Sequence, residues 1–114
     1  MDTKLRQAVI ALAKELDEKF AEDVSVLQIT EISPLADYFV IATAGSEPQL
    51  SSLSLAAGKC LKDHDISLKH TEASRGSKWV LLDFGVIILH LFLADEREFY
   101  NLDGIWRDAP KLEI

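Results

Sequence analysis

A chain of 114 residues, 48% of them apolar, can bury one modest core and is expected to fold as a single domain over residues 1–114. Acidic residues outnumber basic ones by 19 to 12, giving a net charge of −7. That balance argues against a general nucleic-acid binder, which needs clustered Lys and Arg, and suits either a basic protein partner or plain solubility.

The single cysteine, Cys60, allows neither an intrachain disulfide nor a metal site built on thiolates. The start, MDTKLRQAVI, lacks the character of a signal or transit peptide. The longest apolar run, 86–94, is broken by His90 and too short to cross a bilayer. The expected compartment is the cytoplasm.

Leu5, Val9, Leu12, Leu16 and Phe20 recur at helical spacing and predict an amphipathic helix over 3–20. Val24–Thr30, VSVLQIT, alternates like a strand with one buried face, and Ser33-Pro34 breaks it. Tyr38–Thr43 is apolar on both faces and predicts a central strand. Ser46-Glu47-Pro48-Gln49 then reads as a capping box, with Ser46 accepting from the amide of Gln49 and the Gln49 side chain reaching back to the amide of Ser46. The helix it opens runs through Leu50, Leu53, Ala57 and Leu61 and stops near Asp63. Ser67–Thr71 is expected to be a short strand, followed by the polar loop EASRGS. Two strands follow in Lys78–Phe92, and a second capping pattern at Asp95 starts a last short helix. The order is α-β-β-α-β-β-β-α, an α/β domain with a mixed five-stranded sheet and flanking helices.

The stretch KWVLLDFGVIILHLF is aliphatic except for a Trp, an Asp and a His. A two-residue loop at Phe84-Gly85, with Gly85 supplying a positive φ, pairs Asp83 with Val86, Leu81 with Ile88 and Trp79 with His90. One face then holds Val80, Leu82, Ile87, Leu89 and Leu91, a surface fit to lie beneath helices. The other holds Trp79, Leu81, Asp83, Val86, Ile88, His90 and Phe92. The pattern leaves two readings open: a core pair packed under a helix, or an aromatic anchor with a polar rim that binds another protein.

Other clusters read more plainly. Asp63-His64-Asp65 falls at a helix tail, and three adjacent side chains there do not converge on one ion, so a solvated loop is the expectation. His70 and Glu72 make a His–carboxylate pair with no nucleophile fixed nearby. Cys60 on its helix reads as a small buried hydrophobe. The amides after Gly45-Ser46 serve the helix cap in preference to an anion.

The ordered set ADYFVIATAGS, Gln49, the Glu72–Gly76 loop, WVLLDFG…LHLF and REFYNLDGIW resembles the ribosomal silencing factor family, also called RsfS or Iojap-related, from the first helix to Trp106. The resemblance implies a compact domain like the nucleotidyltransferase fold, with no catalytic chemistry and no cofactor. It implies binding to ribosomal protein fourteen of the large ribosomal subunit. The bound factor blocks joining of the small subunit and so represses translation when nutrients are short. Asp37, Tyr38, Glu72, Trp79, Asp83, Gly85, His90, Phe92, Arg97, Tyr100 and Trp106 match the family pattern. By that match Trp79 and His90 are the expected interface centre, Glu72 and Asp83 acidic contacts, and Tyr38, Arg97 and Tyr100 neighbours. The chain departs from the family at Val86, where an acidic residue is usual, and at Leu50, where a basic residue or His is frequent. The competing expectations are a nucleotidyltransferase-like enzyme or nucleotide-binding domain, and a homodimer that hides the Trp79 face.

Overall fold

The computed structural model describes residues 3–29, 36–73, 78–94 and 110–112. The spacing that predicts the first helix produces α1 (Thr3–Glu18), which buries Ala8, Val9, Leu12, Ala13 and Leu16 along one stripe. Phe20 is not on that stripe. It lies beyond the helix end at φ 69° and is 82% exposed. Ala21 donates to the Leu16 carbonyl at 3.0 Å and Phe20 to that of Asp17 at 3.0 Å, so Phe20 fills the left-handed position that usually takes glycine after a helix. The apolar periodicity ran on past the last residue that could stay helical.

Among the described residues six strands follow in one sheet, ordered β3-β4-β5-β2-β1-β6. They are β1 (Glu22–Gln28), β2 (Tyr38–Ala44), β3 (His70–Ala73), β4 (Trp79–Asp83), β5 (Ile87–Leu93) and β6 (Lys111–Leu112), with α2 (Glu47–Lys62) between β2 and β3. The β2–β5 pair is parallel and the other pairs are antiparallel, so the sheet is mixed as expected. All seven residues of β2 are buried, the consequence of a position between β1 and β5 with apolar packing on both faces. β6 adds a strand to the five expected. It is two residues long, pairing with Val26 and Leu27, and offers no alternation to read. Ser33-Pro34 and the helix expected from Asp95 lie outside the described residues.

The short strand before the hairpin also falls differently. The sequence pointed to Ser67–Thr71, but the strand is His70–Ala73, with all four residues exposed. Its position is set by pairing with β4, from His70 opposite Asp83 to Ala73 opposite Val80, and not by any apolar pattern of its own. Glu72 is thereby on a strand and not in the loop.

α2 opens as the capping pattern says, with Ser46 Oγ accepting from the amide of Gln49 at 3.2 Å. The return bond differs. Gln49 Oε1 accepts from the amide of Gly45 at 2.6 Å, one residue earlier than the expected Ser46. Its Nε2 donates to the carbonyls of Lys19 and Phe20 at 3.2 and 3.0 Å. One side chain therefore ties the start of α2 to the end of α1. α2 buries Leu50, Leu53, Ala57 and Leu61. Both helices pack on one face of the sheet, against Val26, Tyr38, Val40, Ala42, Val80, Leu82, Ile87, Leu89 and Leu91. The opposite face has its own cluster of Leu27, Ile29, Ala36, Phe39, Ile41 and Phe92, with Trp79 and Ile88 packed against it.

Candidate functional site

The β4–β5 hairpin turns one residue later than the sequence suggested. Phe84 donates to the Ile87 carbonyl at 2.9 Å, which leaves Gly85-Val86 as the two-residue loop. Gly85 has φ +84°, and a Cβ there would come within 2.8 Å of Lys69 Cε, so no other residue fits without a shift. A primed turn whose first central residue needs positive φ puts glycine there, and not at the second place assumed from the sequence. Trp79 consequently stands opposite Phe92, Leu81 opposite His90 and Asp83 opposite Ile88. Each partner moved by two residues, and a shift of two preserves the face. The expected division survives: Val80, Leu82, Ile87, Leu89 and Leu91 meet the helices, while Trp79, Leu81, Asp83, Ile88, His90 and Phe92 share the other side.

Neither α1 nor α2 covers that second face. Trp79 is half-buried on it, at the start of β4. Its indole lies parallel to the Phe92 ring at 5.6 Å and 2° and to the His90 ring at 6.1 Å and 8°. Phe39 meets His90 edge-on, at 5.2 Å and 70°, from the neighbouring strand β2. His90 is only 5% exposed, on an inner strand with a neighbour on either side. Burial lowers its pKa from 6.5 to about 4, so the imidazole is neutral at pH 7. Trp79 Nε1 donates to His90 Nδ1 at 3.4 Å. An indole nitrogen can only donate, which places the imidazole proton on Nε2.

The acidic contacts flank this group at some distance. Asp83 is four residues from Trp79 along the same strand face, about 13 Å at the usual rise. Its Oδ1 accepts from the amide of Gly85 at 2.7 Å, so the carboxylate stabilises the hairpin turn. The turn thus has a carboxylate partner although position 86 is Val. Glu72 stands opposite Leu81 on β3, a diagonal neighbour of Trp79 on the same face, and is exposed. His70 Nε2 donates to Glu72 Oε1 at 3.2 Å, both side chains being largely in solvent. Tyr38 is not brought to this face. It is buried on the helix side of β2 at 4% exposure, because odd and even positions of a strand point to opposite faces. Arg97, Tyr100 and Trp106 lie outside the described residues. Phe39 is not singled out by the sequence, because β2 reads as apolar on both faces and the contact with His90 depends on the parallel β2–β5 register.

The remaining clusters take structural places. Asp65, at φ 63°, is the left-handed residue that ends α2, with Ile66 donating to the Leu61 carbonyl at 2.8 Å. His64 Nδ1 donates to the Cys60 carbonyl at 3.0 Å. The Cys60 thiol is pushed up by burial first, and then by the carboxylates of Glu15 and Asp63, which disfavours the thiolate. Asp63 and Asp65 stand at the far end of α2 from Gly45-Ser46, about 24 Å away along its axis. Among the described residues no three His, Cys, Asp or Glu side chains gather where they could hold a metal ion.

Among the described residues, fold and site together define a small α/β protein with α1 and α2 on one side of its sheet. The other side carries an aromatic group beside an acidic edge, a composition suited to meeting another polypeptide. The model of the family described as "Ribosomal silencing factor during starvation", RsfS, matches residues 2–114, and the chain belongs to that family. It is 37% identical over 109 residues to the ribosomal silencing factor RsfS of Halalkalibacterium halodurans, covering 95% of this chain and 93% of that protein. It is 35% identical over 102 residues to the RsfS of Bacillus subtilis, covering 90% and 86%. A crystal structure of a Bacillus halodurans protein superposes with a TM-score of 0.77 at 32% identity, covering 99% of this chain and all of that one.

Proposed function

We propose that this protein binds the large ribosomal subunit through ribosomal protein fourteen and, by occupying the joining surface, keeps the small subunit from associating, which represses translation. The observation that carries this reading is Trp79: a large aromatic, half-buried on the face that neither α1 nor α2 covers, backed by a buried group of rings, in a chain that matches the silencing-factor family from end to end. Such an anchor is what dominates small protein interfaces. Trp79 is the centre of contact, Glu72 and Asp83 its acidic flank, and Arg97 and Tyr100 its neighbours. The charge of −7 favours a basic ribosomal protein. Occlusion requires no turnover, and an interface of roughly 800 Å² per partner is enough to hold a small domain in place. The protein acts in the cytoplasm.

The nucleotidyltransferase-like character of the fold belongs to this reading without the chemistry. Gly45-Ser46 follows a central strand and opens a helix, but the Asp-x-Asp pair sits at the other end of that helix. A homodimer through the Trp79 face would compete with the ribosome, and sedimentation at several concentrations detects it.

Co-sedimentation with purified large subunits tests the proposal. Trp79→Ala is expected to abolish it while the protein keeps its circular dichroism spectrum and melting behaviour. Binding by a folded Trp79→Ala variant at wild-type strength removes this face from the interface.

A further inference from the structure

A tryptophan that anchors a partner has to present one edge and one plane, and β4 alone does not fix these. An indole on a strand rotates about two side-chain bonds. Stacking on Phe92 restricts its tilt but does not by itself set its rotation within the plane of contact. The indole N–H points at His90 Nδ1, a contact that is directional where stacking is not. His90 is held far more firmly than Trp79. It sits on β5 between β4 and β2, is almost wholly buried, and is wedged by the edge of Phe39 and the face of Phe92.

The geometry points to His90 as a positioning residue for docking. Its unprotonated Nδ1 accepts from the indole and sets the attitude in which Trp79 meets the ribosomal protein, while His90 itself stays out of contact. This rests on the proposed docking of Trp79 and assigns the imidazole a task behind the surface.

Three observations support it. First, burial removes His90 from the surface, so any influence on a partner passes through what it touches, and among the described residues Trp79 is the partly exposed ring it touches. Second, accepting from the indole commits the imidazole proton to Nε2, and that buried nitrogen has no hydrogen-bond partner among the described residues. A buried donor left unpaired is unfavourable, and an aliphatic residue like its neighbours Leu89 and Leu91 would avoid it. An imidazole in this place is accounted for if its other nitrogen has a directional role. Third, burial keeps the ring neutral, so the acceptor is present throughout the physiological range. At 3.4 Å the bond is long; it orients the indole and adds little to stability.

The test combines nuclear magnetic resonance of the free protein with large-subunit co-sedimentation. In the wild type, the nitrogen shifts of His90 are expected to report a bare Nδ1 and a protonated Nε2; the opposite tautomer overturns the assignment whatever the variants do. In His90→Leu the indole proton is expected to exchange faster with solvent, and binding to fall roughly two- to fivefold, the lower end of what one hydrogen bond is worth. His90→Asn carries an amide oxygen close to the place of Nδ1 and is expected to restore both. If His90→Leu binds like the wild type while Trp79→Ala does not, the docking face stands and the positioning role falls. If His90→Asn fails alongside His90→Leu, the ring acts by packing, and the role falls too. Wild-type binding by Trp79→Ala sinks the docking reading and this inference with it.

Discussion

His90 is a neutral imidazole in a place that tolerates charge poorly, and that makes stability depend on pH in a defined direction. Unfolded, the ring takes a proton near pH 6.5; folded, it resists until about pH 4. Between these values the unfolded chain binds more protons than the native one, so stability is complete above pH 6.5 and is lost as pH falls through the window. The shift corresponds to roughly 3 kcal/mol at full extent. Urea midpoints from pH 7 to pH 4 are expected to fall steeply in the wild type and less steeply in His90→Leu; equal slopes would mean that the ring is already charged in the fold. Phe20 shows a second kind of residue-scale constraint. It continues the apolar spacing of α1, yet it takes the left-handed conformation at the helix end and leaves its ring in water. A side chain in that conformation is strained by roughly 1–2 kcal/mol, which the two hydrogen bonds closing the helix offset.

At the scale of elements, Gln49 does more than the capping pattern assigns to it. A single amide accepts from Gly45 ahead of α2 and donates to two carbonyls left open at the end of α1. Helix ends expose such groups in pairs of opposite sign, and an amide is the side chain that meets both. Gln49→Ala is expected to lower stability by about 1–2 kcal/mol and to speed hydrogen exchange at the Gly45 amide. Gln49→Glu is expected to recover only the Gly45 contact, because its second oxygen faces the carbonyls of Lys19 and Phe20 with no proton to offer. Thermal melts of the two variants, with amide exchange read residue by residue, separate these effects. The hairpin teaches a related lesson. Moving its turn by one residue changed every cross-strand partner and no face, so conclusions drawn from faces outlast errors in register.

For the whole molecule, the two faces of the sheet divide the work. One is mostly aliphatic and meets α1 and α2; the other gathers rings from β2, β4 and β5 around His90. The net charge of −7 surrounds both, and it acts at long range, where the Debye length sets its reach. Binding to purified ribosomal protein fourteen is therefore expected to slow with added salt. Between low and physiological ionic strength the association rate should drop on the order of tenfold, while dissociation changes little. Stopped-flow measurements across a salt series check this, and a salt-independent association rate would remove charge from the account of partner choice.

The sequence by itself determined the two long helices, the central strand β2 and the division of the hairpin into an aliphatic and an aromatic face. Each follows from a local period of 3.6 or 2, and such periods survive whatever the rest of the chain does. It also carried the family, because order and spacing along the chain need no coordinates. Only the tertiary structure decided which residues meet. Phe92, and not His90, stands across from Trp79; Phe39 closes on His90 from a strand far away in sequence; Tyr38 turns to the helices; and His70–Ala73 is a strand because β4 pairs with it. Those contacts depend on turn geometry and on registers between distant strands, which no local period encodes.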